Sequence, residues 1–216
     1  LRLDYVDLFY AHRPDPETPT DEVMDALDQA VRSGKALYTG LSNHGPGEIR
    51  AKQTHAAAFH TARPIISQSR YSMFDRHVEA GELQACAEYG MGFIAFTPLA
   101  QGMLTDRYLS EPRPADSRLV RSEDVCAERL GDRTLVGKAR ALAAIARRRG
   151  QSLAQMAIAW LLSRSEATSV LVGASRPEQI VEDVAAVQNA VFSSRELEEI
   201  ESILAPVQSN GPGAAG

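Results

Sequence analysis

Strand-like runs alternate with helical segments throughout this chain, and that alternation restricts the fold more than any other feature. Runs rich in β-branched and aromatic residues begin at positions 5, 36, 65 and 92, which are 27 to 31 residues apart. This spacing is the length of one strand–helix unit. A fifth run covers 169–172. Strands joined by helical crossovers pair in parallel, so the sequence predicts an α/β fold with a parallel sheet.

Two architectures share this pattern. A doubly wound sheet usually carries a glycine-rich dinucleotide turn after an early strand, and the sequence contains neither G-x-G-x-x-G nor a P-loop. A (β/α)8 TIM barrel needs eight units in roughly 250 residues, whereas five are visible in 216, and the first strand begins almost at Leu1. We therefore expect 1–205 to be the last five units of a single barrel that has lost three upstream units. We expect the Gly- and Pro-rich segment 206–216 to be a flexible tail.

The helices are indicated by apolar spacing and by capping residues. Thr20, Ser152 and Ser193 are predicted N-caps, and Pro177 is a predicted first helical residue. The polar segment 110–132 is predicted to be a lid or a cofactor-facing loop, and simple flexibility is the alternative. The other predicted helices cover approximately 47–60, 76–89 and 134–149.

Composition excludes several classes of partner. A formal charge of -5 and a pI near 5.6 argue against a general nucleic-acid or anionic membrane surface, because phosphate binding needs a basic face. Cys86 and Cys126 fit neither a zinc site nor a disulfide framework, so a reducing cytosol is the expected compartment. No apolar run approaches the roughly 20 residues that span a bilayer.

The predicted strand ends present a polar and aromatic set of side chains. Active sites of barrels lie at the carboxyl ends of the strands. Ser, Asn and Gln can hydrogen-bond a carboxamide, an aromatic ring can stack on a planar cofactor, and a Gly-Ala-Ser-Arg-Pro turn can hold a phosphate. A metal site is disfavoured, because the histidines away from the strand ends show no ligand spacing. The strand ends carry His12, Ser42, Asn43, Gln68, Tyr71, 96–102 and 173–176.

Four strings identify a resemblance that covers nearly the whole chain. They are DYVDLFYAHR at 4–13, GLSN at 40–43, AFTPLAQG at 95–102 and LVGASRPEQ at 171–179. They resemble the aldo-keto reductases, in the branch that holds potassium-channel β-subunits and bacterial reductases of small aldehydes. The resemblance implies reduction of small aldehydes or ketones by hydride transfer from NADPH, with an Asp, Tyr, Lys and His as catalytic groups.

His12 matches the catalytic histidine of that family. The positions of the other three catalytic groups fall before residue 1, so the resemblance implies that the fragment itself is inactive. Four residues of this chain are unsuitable replacements for the missing Tyr and Lys. Tyr5, Tyr10 and Tyr38 lie within predicted strands, and Lys35 lies at the opposite end of its strand. An NADP(H)-binding regulatory or channel-associated module without turnover is the alternative function.

The same resemblance implies a cofactor site. It assigns the nicotinamide end to the strand ends, the pyrophosphate path to the segment after the fourth strand, and the adenosine 2′-phosphate to the last turn. Arg107 replaces a frequent Lys and Asp183 replaces a frequent Asn. In chain order the implied residues are Ser42, Asn43, Gln68, Phe96, Thr97, Pro98, Leu99, Gln101, Gly102, Arg107, Arg118, Gly173, Ser175, Arg176, Gln179 and Glu182.

Three further expectations concern the surface. The cluster Tyr71, Met73 and Phe74 either covers the barrel mouth or shapes a substrate pocket. Arg176 is either a phosphate ligand or a solvated charge. Five units of an open barrel leave sheet edges and apolar helix faces uncovered, which predicts self-association, and a homo-oligomer is left open.

Overall fold

Five parallel strands form one sheet in the computed structural model, which describes residues 2–109 and 133–206. The sheet order is sequential, and each neighbouring pair is parallel. The predicted α/β class is confirmed, and the arrangement is consistent with five consecutive strands of a (β/α)8 barrel. The strands are β1 Val6–Ala11, β2 Ala36–Ser42, β3 Pro64–Arg70, β4 Gly92–Phe96 and β5 Ser169–Leu171.

Helices connect these strands. Short 3-10 helices cover His77–Ala80, Ala100–Gly102, Asp106–Tyr108 and Ala185–Asn189. The α-helices are α1 Thr20–Arg32, α2 Pro46–Phe59, α3 Glu82–Glu88, α4 Arg133–Arg148, α5 Leu153–Leu162, α6 Pro177–Val184 and α7 Ser194–Leu204. The predicted loop 110–132 and all but the first residue of the predicted tail 206–216 lie outside the described residues. Within the described ranges, no helix is both long and apolar enough to cross a membrane.

The two faces of the sheet differ in their cover. We call the face under the helices the outer face; it carries Thr39, Leu41, Ser67, Ser69, Phe93 and Ala95, each 0% exposed. The opposite face, which we call the inner face, is less covered. Its aligned residues follow from the strand register and include Tyr10, Tyr38, Gly40, Gln68, Phe96 and Leu171.

The core lies between the outer face and the helices. Its largest side chain, Trp160 of α5, is fully buried beside the Tyr71 ring, which also meets Phe93 edge-on. Arg76 and Arg164 lie against the Trp160 ring. The apolar spacing of the helices produces this core, because residues three and four apart share one helix face.

The last helix is fastened to the core by charged groups. Glu201 of α7 accepts hydrogen bonds from both Arg76 and Arg164, the two residues that flank Trp160. Lys138 of α4 donates to the carbonyl oxygens of Leu204 and Ala205 at the end of α7. Helix α7 therefore closes the core although it comes last in the chain.

Predicted helix starts are confirmed where a side chain can reach the backbone. Ser152 and Ser193 form capping boxes with Gln155 and Glu196. Pro177 is the first residue of α6, as predicted. Thr20 is not an N-cap: Pro19 occupies that position, because its ring fixes φ near -57° while its ψ of 149° is extended.

The prediction of one continuous helix at 76–89 was wrong in one respect. The chain forms a 3-10 turn and then α3, and Gly81 separates them with φ of 131°. A side chain at Gly81 would lie 3.3 Å from the ring of Pro46. Glycine is therefore favoured here by both its backbone conformation and its surroundings.

Candidate functional site

The carboxyl ends of the five strands lie along one edge of the sheet, because all five strands are parallel. We call this the carboxyl edge. His12 follows β1, Asn43 follows β2, and Phe96 ends β4. His12 is exposed, and its neighbours at this edge are half-buried or buried. The structure thus gathers the residues that sequence reasoning took from separate strand ends.

Asn43 ties three strands together at this edge. Its side-chain nitrogen donates to the backbone oxygen of His12 at 3.2 Å and to the hydroxyl oxygen of Ser42 at 2.9 Å. Its backbone N–H donates to the Gln68 carbonyl oxygen at 3.1 Å. Asn43 has φ of 59°, a left-handed conformation that asparagine tolerates better than most residues. The linkage fixes His12, Ser42 and Gln68 relative to one another.

The His44 ring is hydrogen-bonded to the backbone of Ser42. The sequence analysis did not include His44 in the site. The ring is buried, and its Nδ1 lies 2.8 Å from the Ser42 carbonyl oxygen. Burial lowers the pKa of His44, so the neutral ring donates its Nδ1 proton to that oxygen. Its position two residues after Ser42 was the available signal, but only the folded chain shows that it is buried.

Gln68 and Phe96 lie on the inner face and are half-buried. Ser42 is paired with Gln68, and Gln68 with Ile94, so these side chains form a row across three strands. The backbone N–H of Tyr71 donates to the Phe96 carbonyl oxygen at 3.2 Å, which extends the β3–β4 pairing beyond β3. The row offers a hydroxyl and an amide, and the Phe96 ring lies two residues beyond Ile94 on β4.

A tight turn follows β4. Thr97, Ala100 and Gln101 have φ of 57°, 48° and 60°, although none is glycine. The turn is held by a 3.0 Å hydrogen bond from Ala100 N–H to the Thr97 oxygen and a 2.9 Å bond from Gly102 N–H to the Leu99 oxygen. Pro98 is buried and Leu99 packs against the core. Such a concentration of left-handed non-glycine residues is typical of ligand-binding turns.

The predicted phosphate ligands after this turn are only partly described. Arg107 is half-buried in the 3-10 helix Asp106–Tyr108 and takes part in an interaction. Asp106 accepts a 3.2 Å hydrogen bond from the backbone N–H of Leu153, which fixes this short helix to the start of α5. Arg118 lies outside the described residues.

The turn between β5 and α6 is organised by one glutamine. The side-chain oxygen of Gln179 accepts from the Ser175 N–H at 2.9 Å, the Ser175 hydroxyl at 3.1 Å and the Arg176 N–H at 3.2 Å. Its oxygen is therefore used inside the turn, while its amide nitrogen remains a donor. Gly173 and the Arg176 side chain are exposed. The turn presents a cation at the carboxyl edge.

Two acids follow on α6. Glu182 has an exposed side chain, and its backbone oxygen accepts from the side chain of Gln155 at 3.0 Å. Asp183 is buried, and burial together with Glu182 raises its pKa. Burial thus disfavours the negatively charged form of Asp183.

The cluster beside β3 has a structural role. Tyr71 and Met73 are buried in the core, and Phe74 packs against it. The Tyr71 hydroxyl donates to Glu79 at 2.7 Å, and burial followed by this carboxylate raises its pKa. These contacts place Tyr71 and Met73 in the core between the outer face and the helices.

The lysines and two of the tyrosines are the residues that could replace the missing catalytic Lys and Tyr. Lys35 precedes β2, at the opposite end of the sheet, where its backbone oxygen accepts from Val6. Lys52 is buried on α2, and Lys138 is bonded to the end of α7. Tyr5 precedes β1, and Tyr38 lies mid-strand. Lys35 is thus at the opposite end of the sheet from His12, Lys138 is bonded to the last helix, and Lys52 is buried near His44.

The described residues also contain no group of three or more His, Cys, Asp or Glu side chains that could hold a metal ion. The chemistry at the carboxyl edge is that of hydroxyls, amides, one imidazole and a cation. These groups suit the binding of a polar planar molecule that carries phosphates.

Comparisons with known proteins agree with this arrangement. Residues 1–205 match the aldo/keto reductase family. The L-glyceraldehyde 3-phosphate reductase of Escherichia coli K12 is 43% identical over 215 residues, which cover 97% of this chain and 61% of that protein. A probable voltage-gated potassium channel subunit beta of Oryza sativa is 38% identical over 212 residues, 97% of this chain and 64% of that protein. Its counterpart in Arabidopsis thaliana is 38% identical over 192 residues, 87% of this chain and 58% of that protein.

Proposed function

The chain belongs to the aldo/keto reductase family, and on that premise we propose that it forms the cofactor-binding part of an NADPH-dependent reductase of small aldehydes or ketones. The chain spans about three fifths of the length of the curated relatives it matches. Its five strand–helix units are assigned to the last five units of one barrel, through residue 205. The activity proposed is that of the whole protein.

The hydrogen bonds of Asn43 are the observation that carries this proposal. They hold a hydroxyl, a side-chain amide and the His12 backbone at one edge. Ser42, Asn43 and Gln68 together offer donors and acceptors in the number that a carboxamide needs. The donor set therefore fits the nicotinamide end of NADPH, and the exposed Arg176 at the same edge suits its 2′-phosphate.

The remaining roles follow from the order of residues along the edge. Phe96 is assigned to stack on the nicotinamide ring. The turn after β4, together with Arg107 and Arg118, is assigned to the pyrophosphate. The turn after β5 and the start of α6 are assigned to the adenosine end, through Gly173, Ser175, Arg176, Gln179 and Glu182.

When bound, NADPH supplies the hydride that reduces the substrate carbonyl carbon. His12 is assigned to hydrogen-bond the carbonyl oxygen, which holds the substrate in place as negative charge develops on that oxygen. The reaction then needs a proton for the same oxygen. The lysines of this chain are bonded or buried elsewhere, and Tyr5 and Tyr38 are not at the carboxyl edge. We assign the proton donor to residues outside these 216, so that this chain binds NADPH but does not turn over.

The substrate class is a small aldehyde or ketone. The Escherichia coli relative is named for L-glyceraldehyde 3-phosphate, and that compound is the first to assay with the whole protein. A parallel assay of the 216-residue chain should show no oxidation of NADPH. Turnover at an ordinary enzymatic rate by this chain would contradict the assignment of the proton donor.

Cofactor binding tests the proposal directly. NADPH fluorescence should be enhanced on titration with the 216-residue chain, and NADH should bind more weakly. The variant Arg176→Ala should weaken NADPH binding about tenfold or more, because it removes a charge-assisted bond to phosphate, and should leave NADH binding unchanged. Arg195→Ala, at an exposed arginine on α7, is the matched control. Failure of the unaltered chain to bind NADPH would refute the proposal.

A binding-only role is the second candidate. It is supported by the plant relatives named as probable potassium channel β-subunits. The discriminating observation is the upstream coding sequence. A strand-end Asp and Tyr followed by a Lys on the next strand favour the reductase, and their absence from a complete reading frame favours an NADP(H)-binding regulatory module.

A further inference from the structure

Arg70 lies at the carboxyl edge, on the same face of the sheet as the candidate cofactor site. It is the last residue of β3 and the register partner of Phe96, the last residue of β4, which in turn pairs with Leu171 on β5. Residues two positions apart on a strand share a face, so Arg70 is on the inner face with Gln68. The side chain of Arg70 therefore leaves the sheet beside the ring that is assigned to the nicotinamide.

The guanidinium group of Arg70 is fixed through one of its three nitrogens. Nε donates to Oδ2 of Asp75, and the other carboxylate oxygen, Oδ1, lies 2.7 Å from Nδ1 of His77. The backbones of Asp75 and Ser72 exchange two hydrogen bonds, of 3.0 and 3.1 Å, which close the turn 72–75. Asp75 is thus a fixed anchor for Arg70.

The cation of this ion pair faces solvent more than the carboxylate does. The Arg70 side chain is 49% exposed and the Asp75 side chain is 15% exposed. Among the described residues, the two terminal nitrogens of Arg70 have no hydrogen-bond partner. Together they form a planar fork that matches two oxygens of a phosphate or a carboxylate. An anion at this edge would therefore meet free donors before it met the carboxylate.

We propose that Arg70 determines substrate specificity: its terminal nitrogens bind the anionic group, phosphate or carboxylate, of a short aldehyde whose carbonyl oxygen is held by His12. The inference rests on the proposed function and names the substrate class within it. Strands β1 and β3 are two strand spacings apart, about 10 Å. The side chains of His12 and Arg70 fill part of that interval, and an aldehyde of a few carbons with a terminal oxyanion has the length to fill the rest.

An ion pair with only a structural role uses its guanidinium group differently. Arg50 on α2 provides the comparison, because its Nε and one terminal nitrogen both donate to the Glu88 carboxylate on α3, at 2.8 and 2.9 Å. That contact engages both oxygens of Glu88. Arg70 contacts its carboxylate through Nε alone, since His77 takes the second oxygen of Asp75. The terminal donors of Arg70 are therefore left for a ligand.

Steady-state kinetics of the whole protein test the inference. Arg70→Met keeps the aliphatic stem and removes the charge. It should raise the KM for L-glyceraldehyde 3-phosphate or for succinic semialdehyde about tenfold or more, the effect of losing a charge-assisted bond. The KM for uncharged glyceraldehyde and butanal, the KM for NADPH and the kcat should change by less than about twofold. Arg50→Met makes the same change of net charge away from the carboxyl edge and is the matched control, which should change none of these constants.

A rise confined to one of the two anionic aldehydes would identify the group that Arg70 binds. Equal rises for charged and uncharged aldehydes would show a structural defect, and a change for NADPH alone would place Arg70 in the cofactor site. Either result, or no change at all, overturns the inference. Failure of the unaltered whole protein to reduce any aldehyde refutes the proposed function instead.

Anion binding at Arg70 is tested separately by NMR of the 216-residue chain. The Nε–H resonance of Arg70 is identified by its loss in Arg70→Met. It should move on addition of glycerol 3-phosphate or butyrate, which carry the anionic group without a carbonyl to reduce, and it should not move with glycerol. A signal that neither anion moves would overturn the inference whatever the whole protein reduces.

Discussion

The outer and inner faces of the same sheet differ in cover from one position to the next, as four residues of β2, β4 and β5 show. Leu41 and Phe93 on the outer face are fully buried, whereas Tyr38 and Leu171 on the inner face are each 53% exposed. Parallel sheets are normally covered on both faces. Here the covered face carries most of the packing, while the open face carries Tyr10, Gln68 and Phe96.

Because the two faces differ in cover, alternate residues of a single strand contribute either to stability or to the candidate site. Side chains alternate between faces, so neighbouring positions on β3 and β4 serve different purposes. Ser67 and Ser69 lie under the helices, and Gln68 between them lies on the inner face. Substitutions on the two faces should therefore have distinct effects. The first two of the following four predictions test that separation and the other two concern His44 and α6, in order from the largest expected effect to the smallest.

The largest effect is expected from Phe93→Ala on the outer face. Removal of this fully buried ring should lower the free energy of unfolding by about 3–5 kcal/mol, through lost burial and the cavity left behind. Tyr38→Ala on the inner face should cost less than about 1 kcal/mol, because half of that ring is already in water. Urea denaturation measures both. Equal losses would mean that the inner face is covered in solution.

A smaller effect is expected from Gly40→Ala. The added methyl group meets the Tyr10 ring at 2.6 Å, and overpacking of this kind should cost about 1–3 kcal/mol. Gly47→Ala on α2, where a methyl group meets nothing within 4 Å, is the control and should be neutral or slightly stabilising. Combining Gly40→Ala with Tyr10→Ala should recover part of the loss. If Gly40→Ala alone is neutral, the ring is not held over β2.

A pH-dependent effect is expected from His44. Burial lowers its pKa below 6.5 in the folded chain, so the unfolded chain takes up the proton first as the pH falls through 6.5. The stabilising contribution of neutral His44 is therefore complete above pH 6.5 and is lost as the pH falls through the lower folded pKa. Urea denaturation across this range should show a smaller acid-induced loss for His44→Gln than for the unaltered chain.

The comparison of the two chains separates His44 from other groups. Glu82 is buried and its pKa is raised, so it acts in the opposite direction, and it is present in both chains. Glu196, with a pKa lowered to about 2, loses its contribution only below 4.5. Lys52 and Glu48 near His44 are also common to both chains. Parallel pH profiles for the two chains would show that His44 does not titrate as expected.

The smallest effect on stability is expected from Val181→Asp. Val181 lies on an exposed apolar strip of α6 with Ile180 and Val184, and it is 72% exposed. The change should alter the free energy of unfolding by less than about 0.5 kcal/mol. It should nevertheless reduce self-association measured by sedimentation velocity, because it places a charge in an uncovered apolar surface. A chain that is monomeric before the change would contradict the predicted self-association.

Many of the strands and helices can be predicted from the sequence, because the signals for them lie within short segments. The apolar runs and the capping boxes at Ser152 and Ser193 are contained within a few neighbouring residues. The break at Gly81 was missed because Val78 and Leu83 are both buried, so the apolar pattern continues across it. A glycine in such a pattern shows its positive φ only in the folded chain.

The sequence identifies residues of the candidate site, but it does not show how those residues contact one another. The strand ends identified Ser42, Asn43 and Gln68, and the structure places them together. The contacts of His44 and Tyr10 depend on tertiary packing and register, which no single segment specifies. Gly40 inside a strand was a signal of close approach, but the sequence does not say which side chain approaches.

The position of Glu201 has a consequence for where this unit can end. Two arginines that lie against the Trp160 ring share that one carboxylate, and Lys138 donates to the backbone three and four residues later. A polypeptide that stopped before α7 would leave Arg164 over a buried indole without this carboxylate, and Arg76 would keep Glu79 alone. The packing of this core is therefore complete only when residues 194–204 are in place.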